Sequence, residues 1–187
     1  MDKLLLEKLI KLSIQNNNDA FRKIVLHYQS MVYSLSFKIL NNEQDSKDIV
    51  QETFVKVWLN LKKYNPNKEF TNWIYTIATN LCLDKLRSLK HFSPNEIFED
   101  RIFDLISSDN VEQKMIDDEF GKIVSLLTNE LTPKQKIVFT LHCIDGLEVK
   151  EITEITGMTL AKIKSNLFLA RKKNPNKIIP LWKVKNK

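Results

Sequence analysis

Glycine is scarce in this chain, at 3 of 187 residues, and proline occurs only 5 times. Sheet folds need turn residues at short intervals and alternating apolar runs, so this composition disfavours strands and leaves an all-α protein. Cysteine is nearly absent: Cys82 and Cys143 stand far apart, each inside an apolar helical pattern. Two such residues make no disulfide framework, and they fit a reducing, cytoplasmic setting. No apolar run approaches the roughly 20 residues that span a bilayer, and charges interrupt MDKLLLEKLIKL before a signal-peptide core can form. A soluble chain without membrane insertion is expected. Motifs for chemistry are missing as well, with no GxGxxG, P-loop, CxxC or HExxH pattern. His27 lacks a nucleophile or carboxylate at useful spacing, and His142 with Cys143 lacks two further metal ligands. The expectation is no catalytic site, no metal, no cofactor and no small-molecule substrate.

What the chain has is basic charge in blocks. Its formal net charge is +6, but Lys and Arg outnumber Asp and Glu 14 to 9 over residues 1–90, are outnumbered 3 to 10 over 91–130, and lead 12 to 4 over 131–187. Two basic blocks around an acidic middle suit a chain whose ends meet a polyanion while its centre avoids one. Apolar residues repeat at helical spacing within both blocks, which favours two small helical domains joined by a linker.

Leu5, Leu9 and Leu12 open a first amphipathic helix, and Asn18 or Asp19 is positioned to cap a second. Phe21, Val25, Tyr28, Val32 and Leu35 or Phe37 carry that helix to Leu40, where Asn41 and Asn42 stop it. Asp45 or Ser46 caps a third helix, with Val50, Phe54, Val57 and Leu61 inward and Asp48, Gln51 and Glu52 on a polar strip. Tyr64, Asn65, Pro66 and Asn67 break it. In the fourth helix Phe70, Ile74, Ile77 and Leu81 form the buried stripe, while Trp73, Thr76, Asn80, Asp84 and Arg87 share another face. An indole beside an amide and a guanidinium suits an unpaired base, because the ring stacks and the amide both donates and accepts.

Between residues 92 and 108 the periodicity fades into an acidic stretch, read as a linker. About 17 extended residues reach roughly 55 Å, enough to set two domains more than one DNA turn of about 34 Å apart. A helix beginning at Asp109 turns Met115, Ile116, Phe120, Ile123, Val124 and Leu127 inward. Thr132-Pro133-Lys134-Gln135 is a capping box with proline at the first helical position. Ile137, Val138, Leu141 and Ile144 face the core, Asp145-Gly146 ends the helix, and a short helix over Leu147 to Thr156 follows. Gly157 makes a turn and Thr159 caps a last helix reaching Lys173, which is helix-turn-helix geometry. Ile163, Leu167 and Ala170 point inward, leaving Lys162, Lys164, Ser165, Phe168 and Arg171 outward or flanking, as a duplex reader requires.

DIVQETFVKVWLNL followed by FTNWIYTIATNLCLDKLR is similar to region two of the extracytoplasmic-function (ECF) sigma factors of bacterial RNA polymerase. FRKIVLHYQSMVYSLSFKIL resembles the first conserved block of that region, and LTPKQKIVFTLHCIDGLEVKEITEITGMTLAKIKSNLFLARKK resembles region four. The resemblance implies a region-two domain over residues 1–91, an acidic linker over 92–108 threading the polymerase's channels, and a region-four domain over 109–187 with a basic tail. Asp48, Ile49, Val50, Gln51 and Glu52 match the motif that docks on the coiled coil of the polymerase's largest subunit. Tyr64, Asn65, Asn67, Lys68, Trp73, Tyr75, Asn80 and Arg87 are expected at the melted minus-ten strand, the turn 65–69 receiving a flipped base. Thr159, Lys162, Lys164, Ser165, Phe168 and Arg171 are expected at the minus-thirty-five duplex. Thr76, Thr79, Asn166 and Leu169 stand where the family commonly carries basic residues. Core RNA polymerase, promoter DNA and an anti-sigma protein are the implied partners, in the cytoplasm and at the nucleoid when polymerase is bound. The residues alone also fit a helix-turn-helix regulator whose N-terminal half senses a ligand or dimerises. The block from Asp48 to Arg87 separates the two readings, because a duplex-binding repressor has no use for a stacking face.

Overall fold

The computed structural model describes residues 1–91 and 121–173. Their fold is helical, with no strand among the described residues, as the glycine-poor composition requires. The N-terminal unit comprises α1 (Lys3–Ile14), α2 (Asn18–Leu40), α3 (Glu43–Asn60) with a closing 3-10 turn (Leu61–Lys63), and α4 (Phe70–His91). In the C-terminal unit α5 is described over 121–128, α6 (Pro133–Phe139) runs on as a π turn (Thr140–Ile144), and α7 (Val149–Thr156) and α8 (Leu160–Lys173) follow. The acidic linker, Asp109, Met115, Ile116, Phe120 and the basic tail lie outside the described residues.

The caps sit slightly upstream of the expected positions. Asn17, not Asn18 or Asp19, caps α2 by accepting from the Ala20 amide at 2.9 Å, and Asn42, not Asp45 or Ser46, caps α3 through the Asp45 amide at 2.8 Å. An asparagine in extended backbone reaches the third amide of the helix, which leaves Asp19 and Asp45 inside the first turn, where a carboxylate meets the positive end of the dipole. Asn41 ends α2 in the left-handed conformation, with φ 54°.

Helix α2 is the axis of the N-terminal unit, packed on α1, α3 and α4. Ala20, Ile24, Tyr28, Val32, Leu35 and Ile39 form its buried stripe, with Phe21 and Val25 half-buried beside it. The stripe is rotated from the expected one because three helices surround α2 and its widest contact is with their common centre. Burying side chains such as Ile24 and Val32 completely contributes about 1.5–3 kcal/mol each. In α1, Leu9 and Ile10 are buried while Leu5 is exposed. Ile77, expected in the core of α4, is half-buried, and Ala78 and Cys82 complete the stripe of Phe70, Ile74 and Leu81.

The C-terminal unit follows the expected punctuation closely. Thr132 accepts from the Gln135 amide while the Gln135 side chain accepts from the Thr132 amide, and Pro133 occupies the first turn. Glu148 and Glu151 form a second capping box at the start of α7. Ile137, Val138, Leu141, Ile152, Ile155, Ile163 and Leu167 are buried, whereas Ile123, expected inward, is 47% exposed. Gly157 ends α7 with φ 66°, a conformation that costs a side-chain-bearing residue about 1–2 kcal/mol.

The two units are in contact. Helix α4 packs on α6 and α7, and buried residues of both units belong to one hydrophobic core. Lys38 Nζ lies 2.6 Å from Asp145 Oδ1, joining the end of α2 to the turn before α7. Gly121 approaches the end of α2 so closely that an added Cβ would lie 3.1 Å from Asn41 Oδ1 and 3.3 Å from the Phe37 ring.

Replacing Gly157 by alanine adds no clash, since nothing lies within 4 Å of the new methyl, and it isolates the cost of the left-handed turn. Urea denaturation followed by circular dichroism should report a loss of about 1 kcal/mol.

Candidate nucleic-acid interface

At 100° per residue, Trp73, Thr76, Asn80, Asp84 and Arg87 fall on one side of α4, opposite neither core stripe nor turn but beside both. Asn80 and Arg87 are exposed, and Arg87 pairs with Asp84 at 3.2 Å. Trp73 is half-buried at the rim of an aromatic group: its ring centroid lies 5.2 Å from that of Tyr64 and 5.5 Å from that of Phe70. Tyr64 in turn stands edge-on to Phe70 at 5.0 Å, and Phe70 meets Tyr28 at 5.5 Å. The indole is thus held in place from one side with part of its surface open.

The turn before α4 is built by its own side chains. The Tyr64 hydroxyl donates to the Lys68 carbonyl, the Asn65 side chain accepts from the Asn67 amide at 3.0 Å, and the Asn65 carbonyl accepts from the Lys68 amide at 3.0 Å. Asn65, Asn67 and Lys68 remain exposed on this frame. Burial, and then the Glu69 carboxylate, push the Tyr64 phenol above its ordinary value, so it keeps the proton it donates.

Tyr75 does not share this face. Two residues from Trp73 it points about 200° away, toward the C-terminal unit. Burial there, followed by Asp145 and Glu151, pushes its phenol up to about 12. Thr79, one turn further, is buried with its hydroxyl unpartnered among the described residues. A basic residue is therefore not missing from the open face at position 79, because that position is interior. Thr76 is half-buried, its hydroxyl donating to the Asn72 carbonyl at 2.8 Å.

On α3, Asp48, Gln51 and Glu52 are exposed, with Asp48 accepting from the Gln44 side chain at 3.1 Å and Glu52 pairing with Lys56 at 3.3 Å. Ile49 is a correction to the expected docking strip: at 4% exposure it belongs to the core, as its place between Ser46 and Thr53 on the buried side dictates. Val50 is half-buried and lines an open groove of about 330 Å³ together with Gln29, Ser30, Tyr33 and Lys47. Val55 and Leu59, 51% and 70% exposed, continue the face of Asp48 and Glu52. Their signal in the sequence is an apolar residue outside the buried stripe.

On α8 the expected division holds in every residue named. Thr159 accepts from the Lys162 amide at 3.4 Å, Ile163, Leu167 and Ala170 are buried, and Lys162, Lys164, Ser165 and Arg171 are exposed. Phe168 is 67% exposed. Asn166 turns its amide back to the Lys162 carbonyl at 2.7 Å, while Leu169 stands in solvent where a basic residue would reach outward. Lys173 donates to the Glu130 carbonyl at 2.7 Å and ties the end of α8 to the turn before α6.

No group of three potential metal ligands occurs among the described residues, and none of their helices is long and apolar enough to cross a membrane. Burial pushes the Cys82 thiol up to about 12, which keeps it from acting as a nucleophile.

A basic, open helix of a helix-turn-helix unit, together with a tryptophan, amide and guanidinium face on a second helical unit, defines a helical nucleic-acid-binding protein. Residues 24–92 match the family Sigma-70 region 2, and residues 122–173 match Sigma-70 region 4. The ECF RNA polymerase sigma-E factor of Haemophilus influenzae is 30% identical over 174 residues, covering 89% of this chain and 92% of that protein. The ECF RNA polymerase sigma factor SigW of Bacillus subtilis is 29% identical over 175 residues, covering 90% and 94%. In fold, the chain is similar to CnrH in complex with the cytosolic domain of CnrY, with a TM-score of 0.62, 20% identity and coverage of 98% and 97%. It is similar also to the sigma factor RpoE in complex with the anti-sigma factor NepR from Bartonella quintana, with a TM-score of 0.61, 19% identity and coverage of 88% and 97%. The chain belongs to the ECF RNA polymerase sigma factors, and the alternative of a ligand-sensing or dimerising regulator falls away with the region 2 match.

Tyr64→Phe keeps the ring contacts and removes only the hydroxyl that pins the turn. A net loss of about 1 kcal/mol in that turn corresponds to roughly fivefold faster hydrogen exchange at the Asn67 and Lys68 amides. Unchanged exchange would place the restraint elsewhere.

Proposed function

We propose that this sigma factor binds core RNA polymerase through α3, reads the minus-thirty-five element as duplex through α8, and captures the melted minus-ten strand on α4 and the turn before it. It performs no chemistry itself. In this reading residues 1–91 form the strand-reading domain, 92–108 the acidic linker and 109–187 the duplex-reading domain with its basic tail. Asp48, Gln51 and Glu52 supply an acidic strip to a basic surface of the polymerase, with Val50 at the edge of the adjoining groove. Thr159, Lys162, Lys164, Ser165, Phe168 and Arg171 contact backbone and base edges in the major groove. The protein works in the cytoplasm, at the nucleoid when polymerase is bound. An anti-sigma protein is its third partner, by analogy with the complex of RpoE and NepR.

The observation that carries the proposal is the open side of α4. Trp73, Asn80 and Arg87 line up beside a turn whose Asn65, Asn67 and Lys68 are exposed on a hydrogen-bonded frame. Stacking and Watson-Crick-edge contacts require unpaired bases, so this face lowers the free energy of the open complex and leaves duplex binding to α8.

Trp73→Ala and Asn80→Ala, assayed with core polymerase by permanganate footprinting of unpaired thymines and by gel shift of the closed complex, should lose open complex selectively. Removing a stacking ring worth about 1–3 kcal/mol lowers the open population roughly five- to more than hundredfold where opening is near balance. A template premelted across the minus-ten region should rescue only part of the defect. Equal loss of closed and open complexes would return Trp73 to a purely structural role.

Changing Lys164 and Ser165 together to alanine should weaken binding to upstream duplex without altering the circular dichroism spectrum, since neither side chain is in the core. Unweakened duplex binding would move the recognition face off this side of α8.

A further inference from the structure

The charges of α8 leave most of its outermost side empty. At 100° per residue, Lys164 and Arg171 stand roughly a quarter-turn from the buried stripe of Ile163, Leu167 and Ala170 on one side, and Lys162 and Lys173 roughly a quarter-turn on the other. Between these two basic rails, directed away from the core, run Ala161, Ser165, Phe168 and Leu169, all exposed, before Lys172 closes the strip. Phe168 is 67% exposed and Leu169 41%, and neither belongs to a hydrophobic cluster of the described residues. Ser165 lies one turn before both of them, so the three side chains form one uncharged triangle. An apolar patch rimmed by charge marks a surface that meets something.

The rim says what the patch meets. Two rails of positive charge suit the two phosphate walls of a major groove, about 12 Å wide, and the strip between them then faces the base edges. From Ala161 to Leu169 the helix rises about 12 Å, roughly the height of three to four stacked base pairs. An apolar protein surface could fill the strip but has no use for rails of one charge on both sides. In the major groove guanine presents acceptors, cytosine a donor and adenine one of each, whereas thymine adds a methyl group. Alanine, phenylalanine and leucine side chains can answer only the methyl. Against guanine or cytosine they displace water and return no hydrogen bond, which penalises the wrong base as well as favouring the right one. Ser165, in the middle of the strip, pairs with either kind of polar edge.

We infer that Leu169, beside Phe168, determines specificity by packing on the 5-methyl group of a thymine, so that this chain selects upstream duplexes with thymine at the pair facing Leu169. The inference deepens the proposed reading of α8 and rests on it. A lysine or arginine at this position calls for guanine, and leucine replaces that demand with one for a methyl.

The full-length chain bound to core polymerase is first used to select duplex templates randomised through the upstream element. Each thymine of the selected duplex is then replaced in turn by uracil, which removes the methyl group and nothing else. At the pair facing Leu169 the native chain should bind uracil about fourfold more weakly than thymine, the worth of one buried methyl. Leu169→Ala should no longer distinguish the two bases there, and Leu169→Arg, with donors for guanine N7 and O6, should select guanine at the same pair. A readout that needs no variant is 5-bromouracil at that pair, whose bromine fills the place of the methyl: irradiation should crosslink it to Phe168 or Leu169 of the native chain. Thymine and uracil bound alike at every position overturn the inference, as does a Leu169→Ala variant that keeps every thymine preference of the native chain, or a crosslink outside α8. Weaker binding by Leu169→Ala with all base preferences intact gives the strip to a protein surface and overturns it too. If changing Lys164 and Ser165 together to alanine leaves duplex binding unweakened, the reading of α8 itself fails. If that change weakens binding while uracil has no effect, only the methyl contact falls.

Discussion

A helix has three sides to offer, and α4, 22 residues long, uses all of them. Phe70, Ile74, Ala78 and Leu81 bury one side in the N-terminal unit, Tyr75 turns a second toward the C-terminal unit, and Asn80, Asp84 and Arg87 keep a third in solvent. The 3.6-residue period enforces this division, so a residue cannot be moved between duties without moving it along the chain. The open face of Trp73 and Asn80 is positioned by the first side. Its burial in the core holds the helix axis, and with it the angle at which Trp73 and Asn80 are presented.

The aromatic group around Phe70 carries that order into the turn. Tyr28 on α2, Tyr64 before α4 and Trp73 within it meet around one buried ring, so the start of α4 is fixed to two other elements at once. A ring already held in place has little freedom left to lose in any contact it makes. The polar groups of the turn are satisfied locally, leaving Asn67 and Lys68 side chains exposed without cost to the backbone.

Charge works differently in the two units. On α8 the lysines are exposed, and their charge projects a field into solvent. Between the units Lys38 and Asp145 pair where solvent is largely excluded, and there an ion pair decides which arrangement is allowed more than how stable it is. The neutral Tyr75 beside it keeps its proton throughout the physiological range, since burial and two carboxylates all oppose its ionisation.

Much of this was legible in the sequence, because local interactions dominate it. Helix periods, the Thr132 capping box, the Gly157 turn and the split of α8 into Ile163, Leu167 and Ala170 against Lys162, Lys164 and Phe168 are decided within a few residues of each position. So is the exposure of Asp48, Gln51, Glu52, Asn80 and Arg87. Where a helix meets several partners, the pattern underdetermines the outcome: Ile49 was read with its polar neighbours yet is buried, and Ile123 was read inward yet is exposed. The family resemblance puts Tyr75 with Trp73 at the minus-ten strand, although helical spacing sets the two on different sides of α4. The sequence alone determined the helices, the Thr132 capping box and the helix-turn-helix. Only the tertiary structure decided that α7 rests on α4 and that Lys38 meets Asp145 across 107 positions, because such a contact depends on shape and burial brought together by the whole chain.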